Sequence, residues 1–344
     1  MIRVAVYGAS GYTGLELLKL LARHPHVEVT ALTTRQDESP HLSEVHPQLT
    51  GGPDLRLEKL SIEQVAERAD AAFACLPHAA SAEVVGQLVN RGLKVVDLSA
   101  DYRLTDLLTY EQWYHVTHPD PARVGKTPYG LPELFRDQIR GADLVANPGC
   151  YPTAAILGLA PLLAEGLIAP RGVVIDAKSG VTGAGRNPKP GLHFPEANES
   201  CTAYGVGAHR HMPEIDQVLT TAHARGPHAA AGDPVEVIFT PHLVPMDRGE
   251  LCTCYAAPFA DTSESTLRAC LDAFYADEPF VQVVDAPPAT KHVVGSNRCH
   301  VFVKKVRSQV VVVSAIDNLI KGASGAAVQN FNLMHGFEET TALL

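Results

Sequence analysis

The sequence predicts an α/β protein: a doubly wound domain with a parallel sheet, followed by an α+β domain whose sheet is mainly antiparallel. Three observations carry this. Short apolar runs alternate with helix-period segments as far as Cys150. A glycine-rich turn separates the first run from the first helix. Beyond Cys150 the apolar runs crowd together between longer loops rich in Gly, Pro and Asn. The 344 residues suit two domains, because a single core rarely grows past ~250–300 residues.

In chain order, Ile2, Val4 and Val6 alternate as a first strand, closed by Gly8, Gly11 and Gly14. Leu15, Leu18, Leu21 and Ala22 follow at helical spacing, and the pattern stops near His24-Pro25. Residues 27–32 then read as a second strand, which completes a βαβ unit. Further strands are expected at 71–76, 94–98 and 143–146, with a helix over 80–91. A helix over 154–163 opens the second part, followed by strands at 173–177, 235–239, 251–256, 280–284, 300–304 and 309–314. The loop 179–199 is a notable interruption, and residues 323–337 read as a helix that returns to the first domain.

Composition excludes several function classes. The formal net charge of -10 argues against a nucleic-acid binder that works by broad phosphate neutralisation. No apolar run approaches the ~18–20 residues of a membrane span. The N-terminal residues lack the basic, apolar and small-residue order of a signal peptide, so a cytoplasmic location is expected. Seven dispersed cysteines without a CxxC pair suit reduced thiols better than a disulfide framework. Cys252 and Cys254 would face one side of a strand as ordinary buried thiols, and no metal site is expected.

The first strand runs into Gly8-Ala9-Ser10-Gly11-Tyr12-Thr13-Gly14, a GxxGxxG spacing placed between strand and helix. Glycines there permit a tight turn and close approach of backbone N–H groups to a pyrophosphate, as in a Rossmann-type domain. The end of the second strand carries Thr33-Thr34-Arg35 where an NAD site places a carboxylate. Hydroxyls and a guanidinium suit a 2'-phosphate, which favours NADP(H), with a solvated surface arginine as the alternative.

Asn147-Pro148-Gly149-Cys150-Tyr151-Pro152-Thr153 leads from an apolar strand into an apolar helix, so Cys150 stands near a helix N-terminus. The dipole there favours a thiolate. A nucleophilic thiol needs an acid/base partner, and His209-Arg210-His211 before Met212-Pro213-Glu214 offers two imidazoles and a cation. A metal site or a helix-capping cluster are the competing readings of these histidines. Cysteine, histidine and a dinucleotide loop together imply hydride delivery to a thioester, the chemistry of an acyl-group reductase or an aldehyde dehydrogenase.

These residues resemble the N-acetyl-gamma-glutamyl-phosphate reductases of arginine biosynthesis, relatives of the aspartate-semialdehyde dehydrogenases. The matching segments are 8–14, 98–104, 129–133, 147–153, 178–186, 209–215, 240–249 and 317–323, in family order across nearly the whole chain. The resemblance implies that Cys150 expels phosphate from the acyl phosphate to form a thioester, which NADPH reduces to the semialdehyde. It places the acid/base histidine in the His209/His211 pair, with His211 favoured. It assigns Ser99 and Arg103 to the phosphate region, and Ser179 and Glu214 to substrate positioning. It brings Asn318, Lys321 and Gly322 to the nicotinamide side of the cofactor. The implied division is 1–149 with 318–344 for the cofactor, and 150–317 for catalysis and dimerisation. Thr34 stands where the family often has Ser, which keeps the hydroxyl. A homodimer or homotetramer acting on a small acyl phosphate or aldehyde is the expected assembly. Two rivals remain at this point: the same chemistry on a carrier-linked glutamyl or aminoadipyl phosphate, and a non-catalytic NADP-sensing regulator.

Overall fold

The structure, a computed structural model, describes residues 1–35, 37–229, 233–259 and 262–344. It divides into two units, Met1–Pro148 with Ala323–Leu344, and Gly149–Gly322. Asn318, Lys321 and Gly322, expected on the cofactor domain, therefore belong to the second unit.

In the first unit, β1 (Ile2–Tyr7) pairs with β2 (Val27–Thr33) on one side and β4 (Ala71–Ala74) on the other. β3 (Leu57–Glu58), β5 (Lys94–Asp97) and β6 (Leu144–Ala146) complete a parallel six-stranded sheet in the order β3-β2-β1-β4-β5-β6. Val4, Ala5 and Val6 are all buried, because a parallel strand covered by helices on both sides has two apolar faces. The strand order reverses between β1 and β4, so the crevice for a ligand opens where the 8–14 turn leaves β1.

The tail helix Gly325–His335 is buried along nearly its whole length in this unit. Ser324 donates to the Thr13 carbonyl at 2.8 Å, and the Asn330 amide donates to the Gly130 carbonyl at 2.8 Å. Four helices of this unit, over Leu42–Val45, Ile62–Arg68, Leu107–Tyr114 and Pro132–Ile139, do not register as periodic runs in the sequence.

The second unit is built on a seven-stranded sheet. Its strands are β7 (Arg171–Gly180), β8 (Thr202–Ala203), β9 (Glu236–Val244), β10 (Glu250–Ala256), β11 (Val281–Val283), β12 (Cys299–Val306) and β13 (Gln309–Ile316). The order is β11-β12-β13-β10-β7-β9-β8, antiparallel except for β11 with β12 and β7 with β9. The helix Cys150–Ala164 packs on one face of this sheet and is buried on all sides from Tyr151 to Leu163. A helix that is apolar all round belongs in a core, and each fully buried Leu or Ile there stabilises by roughly 1.5–3 kcal/mol.

Two features hold this helix in place. A Cβ at Gly158 would lie 3.0 Å from Val312, so glycine allows its close approach to β13. The Ser314 hydroxyl donates to the Ala154 carbonyl at 2.7 Å. Cys252 and Cys254 both point into the core, and all seven cysteines are free thiols.

Candidate active site

In the first unit the glycine turn forms a backbone cradle. Gly8 has φ +71°, and a Cβ there would lie 2.1 Å from the Cys75 carbonyl oxygen. A Cβ at Gly14 would meet the Ala9 backbone at 2.8 Å, so glycine lets the helix pack tightly on the turn. The helix Tyr12–Leu21 begins at Gly11 with no side-chain cap, which leaves its N-terminal dipole available to an anion. Ser10, Tyr12 and Thr13 lie on this rim, partly or fully exposed. These residues fit a dinucleotide pyrophosphate.

At the end of β2, Thr34 donates its backbone N–H to the Glu58 carbonyl at 3.0 Å, and Arg35 is exposed. The nearby carboxylates are held by cations: Asp37 by Lys59 at 2.6 Å and Glu58 by Arg68 at 2.8 Å. The position thus presents a hydroxyl and a guanidinium.

Ser99 and Arg103 belong to a tightly bonded turn after β5. Ser99 is fully buried, and its hydroxyl donates to Asp97 at 2.7 Å. That bond ties Ser99, expected in the phosphate region, into the turn. Burial and the neighbouring Asp101 push Asp97 up to about 6. Arg103 donates to the carbonyls of Asn147 at 2.7 Å and Leu98 at 2.9 Å, which fixes its fork.

In the second unit Cys150 is the first residue of the central helix, whose N-cap is Gly149. Glu214 is buried and accepts the Gly149 N–H at 2.9 Å. Expected to position substrate, Glu214 is bonded to the turn that carries the thiol. His211 lies against the same glycine, since a Cβ at Gly149 would stand 2.5 Å from His211 Nε2. Gly322 closes the other side, where a Cβ would lie 2.7 Å from the Cys150 Cβ. His211 thus packs on the residue that precedes Cys150, and the two glycines allow these close approaches.

His209 has a different setting. It accepts the His211 N–H at Nδ1, 3.1 Å away, and its ring is surrounded by Tyr151, Tyr204 and Phe239. Burial, with the Arg210 charge, lowers it to about 4, so it is neutral at pH 7. Tyr204 donates to the Tyr151 hydroxyl at 3.2 Å, and Tyr151 donates to the His242 carbonyl at 3.2 Å, which completes a polar wall.

The other expected residues are placed as follows. Ser179 is buried and donates to the Gly180 carbonyl at 3.1 Å. Asn318 ties two segments together, accepting the Gly249 N–H at 2.8 Å and donating to Thr182 at 3.0 Å. Lys321 is fully buried, with Nζ 5.7 Å from the centre of the Phe280 ring. Glu250 is a residue that the sequence reading missed. It begins β10 and is fully buried, and burial pushes its carboxyl up to about 8. Among the described residues no group of three or more His, Cys, Asp or Glu is placed to hold a metal ion.

A dinucleotide cradle in one unit, with a helix-start thiol beside a histidine in the other, defines the class: a two-domain oxidoreductase of the semialdehyde dehydrogenase kind. Two family models match, the semialdehyde dehydrogenase NAD binding domain over residues 3–142 and the semialdehyde dehydrogenase dimerisation domain over residues 150–318. The first unit is therefore a nicotinamide-cofactor domain. Solved structures share the fold. Aspartate semialdehyde dehydrogenase II of Vibrio cholerae, complexed with ASA, has a TM-score of 0.71 at 16% identity, covering 98% of each chain. The Candida albicans aspartate semialdehyde dehydrogenase with NADP has a TM-score of 0.66 at 15% identity, covering 97% of this chain and 98% of that one.

Sequence relatives are more specific. The N-acetyl-gamma-glutamyl-phosphate reductase of Rhodopirellula baltica is 51% identical over 100% of this chain and 98% of its own length. That of Moorella thermoacetica is 50% identical with the same coverage. The chain belongs to the N-acetyl-gamma-glutamyl-phosphate reductase family and is an oxidoreductase.

Proposed function

We propose that this chain reduces N-acetyl-L-glutamyl 5-phosphate to N-acetyl-L-glutamate 5-semialdehyde and phosphate, using NADPH and a thioester on Cys150. The observation that supports the mechanism is the packing of His211 on Gly149, the residue that precedes Cys150 at the helix start. His211 takes the thiol proton as the sulfur attacks the acyl carbon, and the carbon–oxygen bond to phosphate breaks. NADPH, when bound, supplies the hydride that the thioester carbonyl accepts. His211 then gives its proton to the oxygen that gains charge, and takes it back as the carbon–sulfur bond breaks to release the aldehyde and the thiolate. His209 serves as a positioning residue, because its neutral ring accepts the His211 backbone N–H. Glu214 holds the thiol turn from behind. Arg103 is assigned the phosphoryl group, for which a fixed planar fork is suited. The reaction is tested in reverse: purified protein should reduce NADP with N-acetylglutamate semialdehyde only when phosphate is present. A protein that binds NADPH yet stays silent in that assay refutes the proposal.

The preference for NADPH rests on Thr34 and Arg35, since the carboxylates near the end of β2 are already paired. Arg35→Ala is expected to raise the KM for NADPH by about 10–100-fold, the worth of a charge-assisted hydrogen bond, and to leave the KM for NADH nearly unchanged. Equal changes for both cofactors would place the 2'-phosphate elsewhere.

Self-association is assigned to the face of the seven-stranded sheet turned away from the central helix. One row across that face runs Ile238, Val174, Tyr255 and Val311 in paired register, with Ile238 60% and Tyr255 39% exposed. Contiguous apolar surface of this kind marks an interface, and it lies within the region matched by the dimerisation-domain model. Ile238→Asp is expected to shift the chain from dimer toward monomer in sedimentation velocity. An unchanged sedimentation coefficient would move the interface off this face.

A further inference from the structure

The segment between β2 and β3 closes largely on itself. Leu42 donates its N–H to the Leu55 carbonyl at 2.8 Å, Leu57 donates to the Pro40 carbonyl at 3.0 Å, and the His41 ring meets Asp54 at 2.8 Å. From residue 37 to residue 56 the chain is exposed or half-buried except at Leu42 and His46. Leu42 is apolar, so its burial needs no partner. His46 is polar, and burying an imidazole is costly unless its nitrogens are bonded. Its Nε2 lies 2.7 Å from the carbonyl oxygen of Ala9, inside the glycine turn. A carbonyl has no proton to give, so Nε2 carries the hydrogen and donates it. His46 thus reaches out of its own segment to the backbone of the cradle.

We propose that His46 is a positioning residue for the dinucleotide: by holding the Ala9 carbonyl it fixes the Ala9-Ser10 peptide, so that the Ser10 N–H faces the pyrophosphate. The proposal rests on the reading of the glycine turn as a pyrophosphate cradle. A trans peptide is planar, so its C=O and N–H point to opposite sides. The Ala9 carbonyl is on the buried side, between His46 and the start of the first helix, where a Cβ at Gly14 would lie 2.8 Å from it. The Ser10 N–H therefore faces the other way, toward the rim on which Ser10 is exposed. A flip of this one peptide would exchange the two groups and set a carbonyl oxygen against an anion, the reverse of what a backbone anion site requires. The bond from His46 opposes that flip. Its effect belongs to the pyrophosphate, which NADPH and NADH share, whereas Arg35 is assigned to the 2'-phosphate that only NADPH carries.

The test titrates the full chain with NADPH and NADH by nucleotide fluorescence, and with adenosine 2'-phosphate, which has no pyrophosphate, by calorimetry. His46→Leu should raise the Kd for NADPH and NADH alike by about tenfold, the scale of one lost hydrogen bond, and leave adenosine 2'-phosphate within about twofold of wild type. His46→Gln offers an amide N–H in place of the ring donor and should return both dinucleotides to within about threefold of wild type. A residue that only supported the fold would move all three ligands together, and a donor would not rescue it. If the leucine variant loses adenosine 2'-phosphate as well, His46→Phe, which keeps a ring without a donor, is read by the same criteria. Loss of all three ligands there too would show a role in folding and overturn the proposal. Unchanged dinucleotide affinity in His46→Leu, or a weakening confined to NADPH, would also overturn it. A wild type that binds neither dinucleotide would refute the cradle reading and the proposal with it, whereas the variants test the proposal alone.

Discussion

Cys150→Ala should lower phosphate-dependent NADPH formation from N-acetylglutamate semialdehyde by about 10⁴-fold or more, the scale of losing a covalent nucleophile. The fold should be untouched. Alanine keeps the Cβ that packs on Gly322, and Glu214 still accepts the Gly149 N–H. NADPH binding should persist, because the glycine cradle belongs to the other unit. Fluorescence titration with NADPH beside the activity assay separates the two effects. Full activity in Cys150→Ala would remove the thioester route. Loss of both activity and NADPH binding would show misfolding, and Cys150→Ser would then serve as the milder variant.

The second large effect is expected at the histidines, and it differs between them. His211→Asn should cost about 10²–10⁴-fold in kcat, the usual contribution of a positioned acid/base, and should abolish the pH-rate limb that reports it. His209→Asn should cost less than about tenfold. An asparagine oxygen can replace Nδ1 as acceptor for the His211 N–H, and the native ring is already neutral. Paired pH-rate profiles check this. Equal losses at the two positions, with the limb retained in His211→Asn, would reverse the assignment.

Much of the cofactor unit was legible in the chain. Alternation in β1, three glycines and a helical leucine stripe are local patterns, and each has one inexpensive conformation. The short helices were harder to see, although Ser61 and Gln64 form a capping box around the start of Ile62–Arg68. Their apolar stripes are too brief for periodicity to register. The thiol turn was legible for another reason: a strand, a Pro-Gly pair and an apolar helix leave one place for Cys150. The resemblance places Ser99 in the phosphate region, but its local sequence does not show the bond it makes to Asp97. The strand order that buries Asp97 and Asp101 beside it is a long-range property that its neighbours in sequence do not announce.

Glu250 shows the division most clearly. In Arg248-Gly249-Glu250-Leu251-Cys252, a charged residue opening a strand reads as a solvated edge. β10, however, lies between β7 and β13, and the central helix covers one face of the sheet, so Glu250 is inside. Local sequence carries the period, the turns and the chemical identity of each group, because these depend on neighbours within a few residues. Which groups meet, and in how little water, depends on pairings between distant segments: Gly149 with Glu214 and His211, Gly322 with Cys150, β10 with β7. Proximity and burial set proton affinity, so His209 and the buried Glu250 carboxyl acquired their characters only when the chain had closed around them.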